Sequence, residues 1–408
     1  MATLLHVSDH HLGRMTGRVS RAPDHDASFQ ETVEIARQLR PDLVIDTGDL
    51  FDSLRPATEE MHRAIDWLQQ MAGLSQMVVV VRGNHESEEL FRLFQRLLGE
   101  HSKIRFCDRA RRPDEGGIVD VPCRDGEQRI RVAPLPFVHA NRVISEVGFR
   151  SEVWLSAYAR RIAELEAMLL AGLRDGYDPG RDSLVLAAHL HVQGGRFGSS
   201  ERPLHVVDAY ACDPLDLPRV DYAGFGHLHQ PQPLPGGVPG AFAGSPFSLD
   251  FGEAGEQKSC VLVELTPGQP AVISRVPLTR ARPLLRVSGS LEELARLGPE
   301  THGAILQVSV RSELPVGHLG ARVQELFPDC EVAEVLETGG PVPLSPVSAP
   351  AEVDRGFPEM LDAYLAQTGA ADAAGIRGCF DQLLEAVTEG RPLALPEAEA
   401  LDRLAGTG

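Results

Sequence analysis

The chain has 408 residues, 43% of them hydrophobic, and a formal charge of −19 from 39 basic and 58 acidic side chains. That length allows one large core with one or two smaller units, and no stretch reaches the roughly 18 consecutive apolar residues that would predict a membrane span. The 6 cysteines are scattered without a CxxC pair, which argues against a disulfide framework and against a zinc ribbon. The opening MATLLHVSDHHLG has no basic segment before an apolar one, so a cytoplasmic location is expected. The acid excess speaks against a broadly basic nucleic-acid surface, but metal-binding carboxylates and an acidic tail can hide a local basic face.

In chain order, TLLHVSD (3–9) reads as a strand, 26–40 as a helix and DLVIDTGD (42–49) as a strand. Then come a helix at 58–73, the strand QMVVVV (76–81) and a helix at 87–98. This alternation predicts an α/β layered sheet. A helix at 151–173 and strands at 183–189 and 220–227 follow. Shorter strands at 240–245, 259–265 and 271–276 suggest a second sheet packed on the first. From 282 the pattern restarts as a small α+β unit: strand 284–288, helix 290–297, strand 304–310, helix 315–327, strand 330–337. GGPVPLSPVSAP (339–350) is a linker by composition. Two amphipathic stretches follow, at 355–367 and 371–388, in a tail whose 11 acids and 4 bases over 351–408 give −7.

Sites in open α/β sheets gather at the carboxyl ends of strands. Here those ends deliver Asp9 and His11, Asp49, Asn84 with His85, His189, and His227 with His229. In extended chain, residues i and i+2 share a face, so each of the pairs Asp9/His11 and His227/His229 is expected to reach one ion, with His10 and Leu228 facing away. The glycines before Asp49, Asn84 and His227 allow close approach and sharp turns. Carboxylate, amide and imidazole donors without thiolate suit Mn²⁺ or Fe²⁺ better than a structural zinc. Asp9, His11, Asp49, Asn84, His189, His227 and His229 are too many for one ion, so two ions sharing a carboxylate are expected. His191 rivals His189, which is preferred because it ends the apolar run.

LLHVSDHHLG, DLVIDTGDLFDS, VVVVRGNHE, AAHLHVQGG, and YAGFGHLHQPQ followed by AGSPFSLDFGE resemble the motifs of the calcineurin-like metallophosphoesterases. Within them, they resemble the nuclease subunits of bacterial SbcC–SbcD complexes, over nearly the whole chain. The resemblance implies a four-layer metallophosphoesterase-like β-sandwich flanked by helices over 1–280, a small α+β DNA-capping domain over 281–338, and a C-terminal two-helix segment over 351–408. It implies two divalent ions, Mn²⁺ above all: one on Asp9, His11, Asp49 and His229, the other on Asp49, Asn84, His189 and His227, with Asp49 bridging. His85 resembles the family's proton donor to the leaving oxygen. Glu86 is expected to hold the turn or to orient a neighbouring histidine. GNHE in place of the relatives' usual GNHD is shared with phosphoprotein phosphatases, but their GDxHG and GDxVDRG read SDHHLG and GDLFDS here. His10 stands where an aromatic is common.

The activity implied is double-strand exonuclease and single-strand or hairpin endonuclease cleavage of DNA in double-strand-break repair, by a homodimer working with an SbcC-type coiled-coil ATPase. The alternative is a phosphoesterase acting on small phosphodiesters or phosphoproteins. Expected DNA contacts are Arg14, Arg18 and Arg21, in the loop after the first ligand pair. The clusters Arg105, Arg109, Arg111, Arg112 and Arg280, Arg282, Arg286 are further basic candidates. Phe357, Leu361, Tyr364, Phe380, Leu383 and Leu384 of the tail would form the ATPase-binding surface.

Overall fold

The computed structural model describes residues 1–99, 101–139, 151–198, 212, 217, 219–312 and 317–338, and, in the tail, 361, 362, 365, 374–378, 380 and 381. The chain divides into two compact units, Met1–Glu146 with Glu152–Pro341, and Val147–Ser151 with Val342–Gly408.

The first unit begins β1 (Ala2–Val7), β2 (Met15–Thr16), β3 (Val19–Ser20), α1 (Ala22–Leu39), β4 (Leu43–Asp46), α2 (Thr58–Leu74), β5 (Met77–Val81), α3 (Glu88–Leu98) and β6 (Ile104–Cys107). It continues β7 (Val119–Pro122), β8 (Arg129–Leu135), α4 (Ser151–Arg174), β9 (Asp182–His189), β10 (Tyr222–Gly226), β11 (Gln232–Pro233), β12 (Gly240–Phe242), β13 (Ser259–Leu265) and β14 (Val272–Pro277). Among the described residues the first sheet has the order β14-β13-β1-β4-β5-β6 and the second β11-β12-β10-β9-β8-β7. β1, β4, β5 and β6 are parallel, as are β8, β9, β10 and β12. Each sheet therefore collects strand carboxyl ends at one edge.

Strand alternation builds the layers. Leu5, Val7, Val44, Val78 and Val80 pack against α1, α2 and α3 through Phe29, Trp67, Leu68 and Phe91. Leu4, Leu43, Ile45, Val79 and Val81 point the other way, onto Val132, Val185, Ala187 and Tyr222 of the second sheet. That sheet's outer face, with Ala133, Leu135, Leu186, Ala188 and Phe225, packs on Ile162, Leu169 and Leu173 of α4. The result is the expected helix–sheet–sheet–helix sandwich.

Two strands lie elsewhere than expected. β13 and β14 rejoin the first sheet, β13 pairing antiparallel with β1 from Ala2↔Leu265 to His6↔Val261. Val261, Val263 and Leu265 thereby enter the inter-sheet core from the first sheet's side. Among the described residues, six strands lie outside the expected set: the two-residue β2, β3 and β11, the edge strand β6, and the hairpin β7–β8. The hairpin's charged residues disguise it, because Arg129 pairs with Asp182 at 2.5 Å and Arg131 with Asp120 at 2.9 Å.

β15 (Leu284–Gly289), α5 (Leu291–Leu294), β16 (Ile305–Arg311), α6 (Leu319–Leu326) and β17 (Glu331–Thr338) form a separate parallel sheet, ordered β15-β16-β17. Its own core is Leu294, Leu306, Val308, Val323 and Phe327, and Ser290 and Glu293 close a capping box on α5. A second small cluster, Val19, Phe251, Leu284, Ile305 and Ala333, seats it on β3 and on the turn Phe251–Glu253. In the second unit the described tail residues are helical, and Arg377 pairs with Asp362 and, at 2.9 Å, with Asp381. The linker and most of the expected tail surface lie outside the described residues.

Candidate metal centre

β1 stops at Val7 and β10 at Gly226, so the expected ligand pairs do not lie in extended chain. Asp9, His11, Asp49 and His227 have φ of 53°, 51°, 53° and 96°. Among the described residues, Arg40 and His318 are the other non-glycines in this left-handed region. Such backbone costs about 1–3 kcal/mol per residue and persists where the surroundings over-determine it. Concentrated on four of the seven expected ligands, the strain marks the site. Gly83 permits the closest approach: a Cβ there would lie 2.1 Å from Asp49 Oδ1.

These turns bring Asp9, His11 and His229 together with ligand atoms all within 4.8 Å, and likewise Asp49, His189 and His227. His227 and His229 thus divide between two groups, against the expectation that the pair serves one ion. Asn84 Oδ1 is 2.9 Å from both His189 Nε2 and His227 Nδ1. Asp49 Oδ2 lies between the groups, 3.4 Å from His189 Nε2 and 3.7 Å from His11 Nε2. The main-chain N–H of His227 donates to both oxygens of Asp9, at 3.0 and 3.2 Å.

The outer nitrogens of three rings are committed to acceptors. His11 Nδ1 donates to Asp52 Oδ1 at 3.0 Å, His229 Nδ1 to Glu253 Oε1 at 3.1 Å, and His189 Nδ1 to Thr47 O at 2.7 Å. Each bond fixes the tautomer and turns Nε2 inward as a donor atom. His11 Nε2 and His229 Nε2 then face one another at 3.1 Å. Two lone pairs at that distance repel unless a cation or proton lies between them, and burial pulls the His11 imidazole down to about 4, which disfavours the proton.

The charges agree. Asp9, Asp46, Asp49 and Glu86 are all buried. Burial pushes Asp9 up to about 6 and Glu86 up to about 7, and raises Asp46 as well. Burial also opposes the charge on Asp49, but His189, His85 and His11 outweigh it and hold the group well below its usual range. Burial opposes a charged His189, and Asp49 and Asp9 outweigh it in turn, pushing the imidazole up to about 9. These are the electrostatics of a pocket built around positive charge, and the oxygen and imidazole donors fit divalent cations.

Residues 2–231, more than half of the chain, match the calcineurin-like phosphoesterase family. The chain belongs to this family. Among curated proteins it is 28% identical over 339 residues to the D subunit of the SbcCD nuclease of Rhodobacter capsulatus, covering 78% of this chain and 82% of that one. It is 27% identical to the D subunit of the SbcCD nuclease of Bacillus subtilis, covering 69% of this chain and 71% of that one. The corresponding protein of Escherichia coli K12 is 26% identical, over 71% and 72% of the two chains.

Around this phosphoesterase centre, His85 donates its main-chain N–H to Asp49 Oδ1 at 2.9 Å. Its Nδ1 lies 3.1 Å from Asp52 O, and its Nε2 4.0 Å from Asp49 Oδ2. Of the two roles expected of Glu86, the structure shows the first: the carboxylate accepts from Gly83 N at 2.7 Å and Phe51 N at 3.0 Å, tying the GNHE turn to the Asp49 loop. His10 faces away, between Phe29 and Trp67 with ring centroids 5.2 and 4.8 Å distant. His191 lies against Phe197 and joins neither group.

Three supporting residues went unread in the sequence. Asp52, in GDLFDS, orients His11. Glu253, in AGSPFSLDFGE, orients His229; it also accepts from Lys258 Nζ at 2.8 Å and Leu249 N at 3.1 Å. Arg82, directly before GNHE, donates to the carbonyls of Asp108 at 2.7 Å, Gly83 at 2.9 Å and Phe137 at 2.5 Å. Their signal was membership in the quoted motifs.

The arginines are sorted by their partners. Arg21 is fully buried and cannot meet DNA: it donates to Asp24 at 2.7 Å and Ser248 O at 2.8 Å and lies 4.6 Å over the Phe247 ring. It is a structural pin, and its expected role in holding substrate is withdrawn. Arg14 reaches Asp52 at 3.4 Å, one carboxylate away from His11. Arg18 is exposed, with Nε 3.4 Å from Val332 O. Arg280 pairs with Glu34, Arg282 with Asp24 and Glu331, and Arg286 bonds Gln307.

Proposed function

We propose that the chain is a metal-dependent DNA nuclease of the SbcD type. The observation that carries the reading is the paired convergence of Asp9, His11, His229 and of Asp49, His189, His227 about Asp49 and Asn84. It is supported by the curated relatives, each of which is named as part of a nuclease.

In this reading Asp9, His11, Asp49 and His229 would hold one divalent ion, and Asp49, Asn84, His189 and His227 a second, Mn²⁺ being the proposed metal. Two such ions lower the pKa of water at the site and neutralise charge on the phosphoryl oxygens. His85 supplies the proton. A carbonyl accepts only, so its Nδ1–H stays on Asp52 O, and the imidazolium delivers the Nε2 proton to the departing sugar oxygen. Asp52 and Glu253 keep the inward nitrogens of His11 and His229 free to bind. Glu86 and Arg82 hold the turn that carries Asn84 and His85.

Residues 1–280 form the proposed catalytic domain, 281–338 a cap over DNA, 339–350 a linker and 351–408 the docking segment for an SbcC-type ATPase in a dimeric, cytoplasmic repair nuclease. Among the described residues no helix is long and apolar enough to cross a membrane. Of the proposed docking residues, Leu361 and Phe380 are described, and both are half-buried.

The test uses the wild type beside Asp49→Asn with Mn²⁺, Mg²⁺ or EDTA. Substrates are end-labelled linear duplex, hairpin DNA and a chromogenic phosphodiester. Manganese-dependent shortening of DNA by the wild type alone is expected. Cleavage of the ester with DNA left intact, even after the ATPase is added, would move the protein to small phosphodiesters.

A further inference from the structure

On the flank of the sandwich, a concavity of about 470 Å³ opens beside the edge strand β6. Its wall follows from strand alternation. Ile104 and Phe106 pack outward beneath the helices, whereas Cys107 enters the inter-sheet core, so Arg105 turns towards the second sheet with Cys107. No further strand pairs with the outer edge of β6 among the described residues. Arg96 arrives from the last turn of α3, and Arg109 and Arg111 from the loop after β6. That loop folds back closely at two glycines. A Cβ on Gly117 would lie 2.2 Å from Arg111 O, and one on Gly116, at φ 82°, 3.9 Å from Arg105 Nη2. The loop therefore passes beside the Arg105 guanidinium at Gly116.

Among the described residues, four arginines line this concavity against one lining carboxylate, Glu115. In a chain of net charge −19 this is an inversion of sign. Arg111 is paired with Asp108 at 2.8 Å. Among the described residues no carboxylate pairs with Arg96, Arg105 or Arg109, in contrast to Arg63, Arg129, Arg131 and Arg282. Arg112, expected to share the cluster, pairs instead with Asp114 and lines a different pocket. Unpaired guanidinium groups converging from a strand, a helix end and a glycine-shaped loop make an oxyanion receptor, and their fork geometry suits phosphate.

We propose that Arg96, Arg105 and Arg109 form a phosphate subsite that grips a backbone phosphodiester of the nucleic acid away from the metal centre. The proposal rests on the nuclease reading above for the identity of its ligand. It assigns the grip on DNA to the β6 flank, where the loop after the first ligand pair loses Arg21 to the core.

The test measures duplex DNA binding in EDTA against salt for the full chain and for Arg105→Gln/Arg109→Gln, with chromogenic-ester hydrolysis in Mn²⁺ alongside. The double variant should bind about ten-fold more weakly, equally for unrelated sequences, with the log–log salt slope reduced by about 0.9 for each phosphate no longer neutralised. Ester hydrolysis should be unchanged. Arg109→Glu, on an exposed loop, repeats the test if the half-buried Arg105 proves necessary for folding. Unchanged affinity and slope in a variant that still shortens DNA would overturn the subsite and leave the nuclease reading standing. Weakened binding by the variant, with a wild type that binds DNA but never cuts it, would overturn the nuclease reading and leave the subsite. A wild type that neither binds nor cuts DNA would overturn both.

Discussion

Glu253 joins His229 to Lys258: one carboxylate oxygen takes His229 Nδ1 at 3.1 Å and the other takes Lys258 Nζ at 2.8 Å, all three side chains being buried. Burial opposes the carboxylate's charge, but His229 and Lys258 outweigh it and hold the group well below its usual range. The imidazole is thereby fixed with its Nε2 towards Asp9 and His11. Glu253 sits on the turn that also carries Phe251, against which the small sheet packs.

Glu253→Gln removes the charge that holds this tautomer. Loss of such an outer partner typically costs about 10–100-fold in metal affinity. The loss should fall on the Asp9–His11–His229 group and spare Asp49–His189–His227. Calorimetric titration with Mn²⁺ should resolve two binding phases, of which the variant weakens one. Equal weakening of both phases would show that Glu253 supports the fold generally rather than one half of the site.

His85→Asn separates holding metal from moving a proton. The side chain touches the cluster through Asp49, 4.0 Å from its Nε2, and through His11, whose ring lies edge-on to it with centroids 4.7 Å apart, but it stands outside both proposed ligand sets, so Mn²⁺ affinity should change little. Turnover on DNA should fall by about 10²–10⁴-fold, the usual worth of a positioned general acid. Single-turnover cleavage at saturating Mn²⁺ reads this directly. Near-normal cleavage would remove the acid role.

Much of this site was legible because polar residues at the ends of Val- and Leu-rich strands are conspicuous. Asp49, Asn84 and His189 could be placed from the apolar runs before them. What alternation could not give was the backbone after the run: Asp9, His11 and His227 adopt left-handed φ, so i,i+2 logic fails there and His227 parts from His229. Support residues such as Glu253 act across a distance of 24 residues, which no local pattern encodes. Arg21 illustrates the converse error. A loop arginine beside a metal motif reads as a phosphate ligand, until Asp24, Ser248 and Phe247 enclose it.

Divalent metal should stabilise the fold measurably. Asp9 and Asp49 are buried and their charges are poorly solvated, so a bound cation favours the folded chain over the unfolded one. At a concentration 100 times Kd the gain is about 2.7 kcal/mol per site. At about 2–4 °C per kcal/mol for a large domain, Mn²⁺ should raise Tm by roughly 5–10 °C with one site filled and by about twice that with both. EDTA should reverse the shift, and Asp49→Asn should abolish most of it. A Tm indifferent to Mn²⁺ in the wild type would mean that the cluster does not bind the ion.

Asp24, on α1, ties the sandwich to the segment that enters the small sheet through Arg282 and gives the fold an acid-sensitive joint. Its carboxylate accepts from Arg21 Nε at 2.7 Å and from Arg282 N at 2.8 Å, Nε at 3.0 Å and Nη2 at 2.8 Å. Burial opposes the charge, yet Arg282 and Arg21 outweigh it and hold the pKa below the usual carboxylate range. A depressed folded value stabilises above the unfolded pKa of about 3.9 and loses that contribution as pH falls through the folded value. Wild-type stability in denaturant should therefore decline below about pH 4. Asp24→Asn strands the buried Arg21, and removing one partner of a buried pair costs about 3–5 kcal/mol. The variant should start lower at pH 7 and lose less on acidification, so the two curves converge. Parallel curves would show that Asp24 titrates alike in the folded and unfolded chains and would remove the acid-sensitive joint.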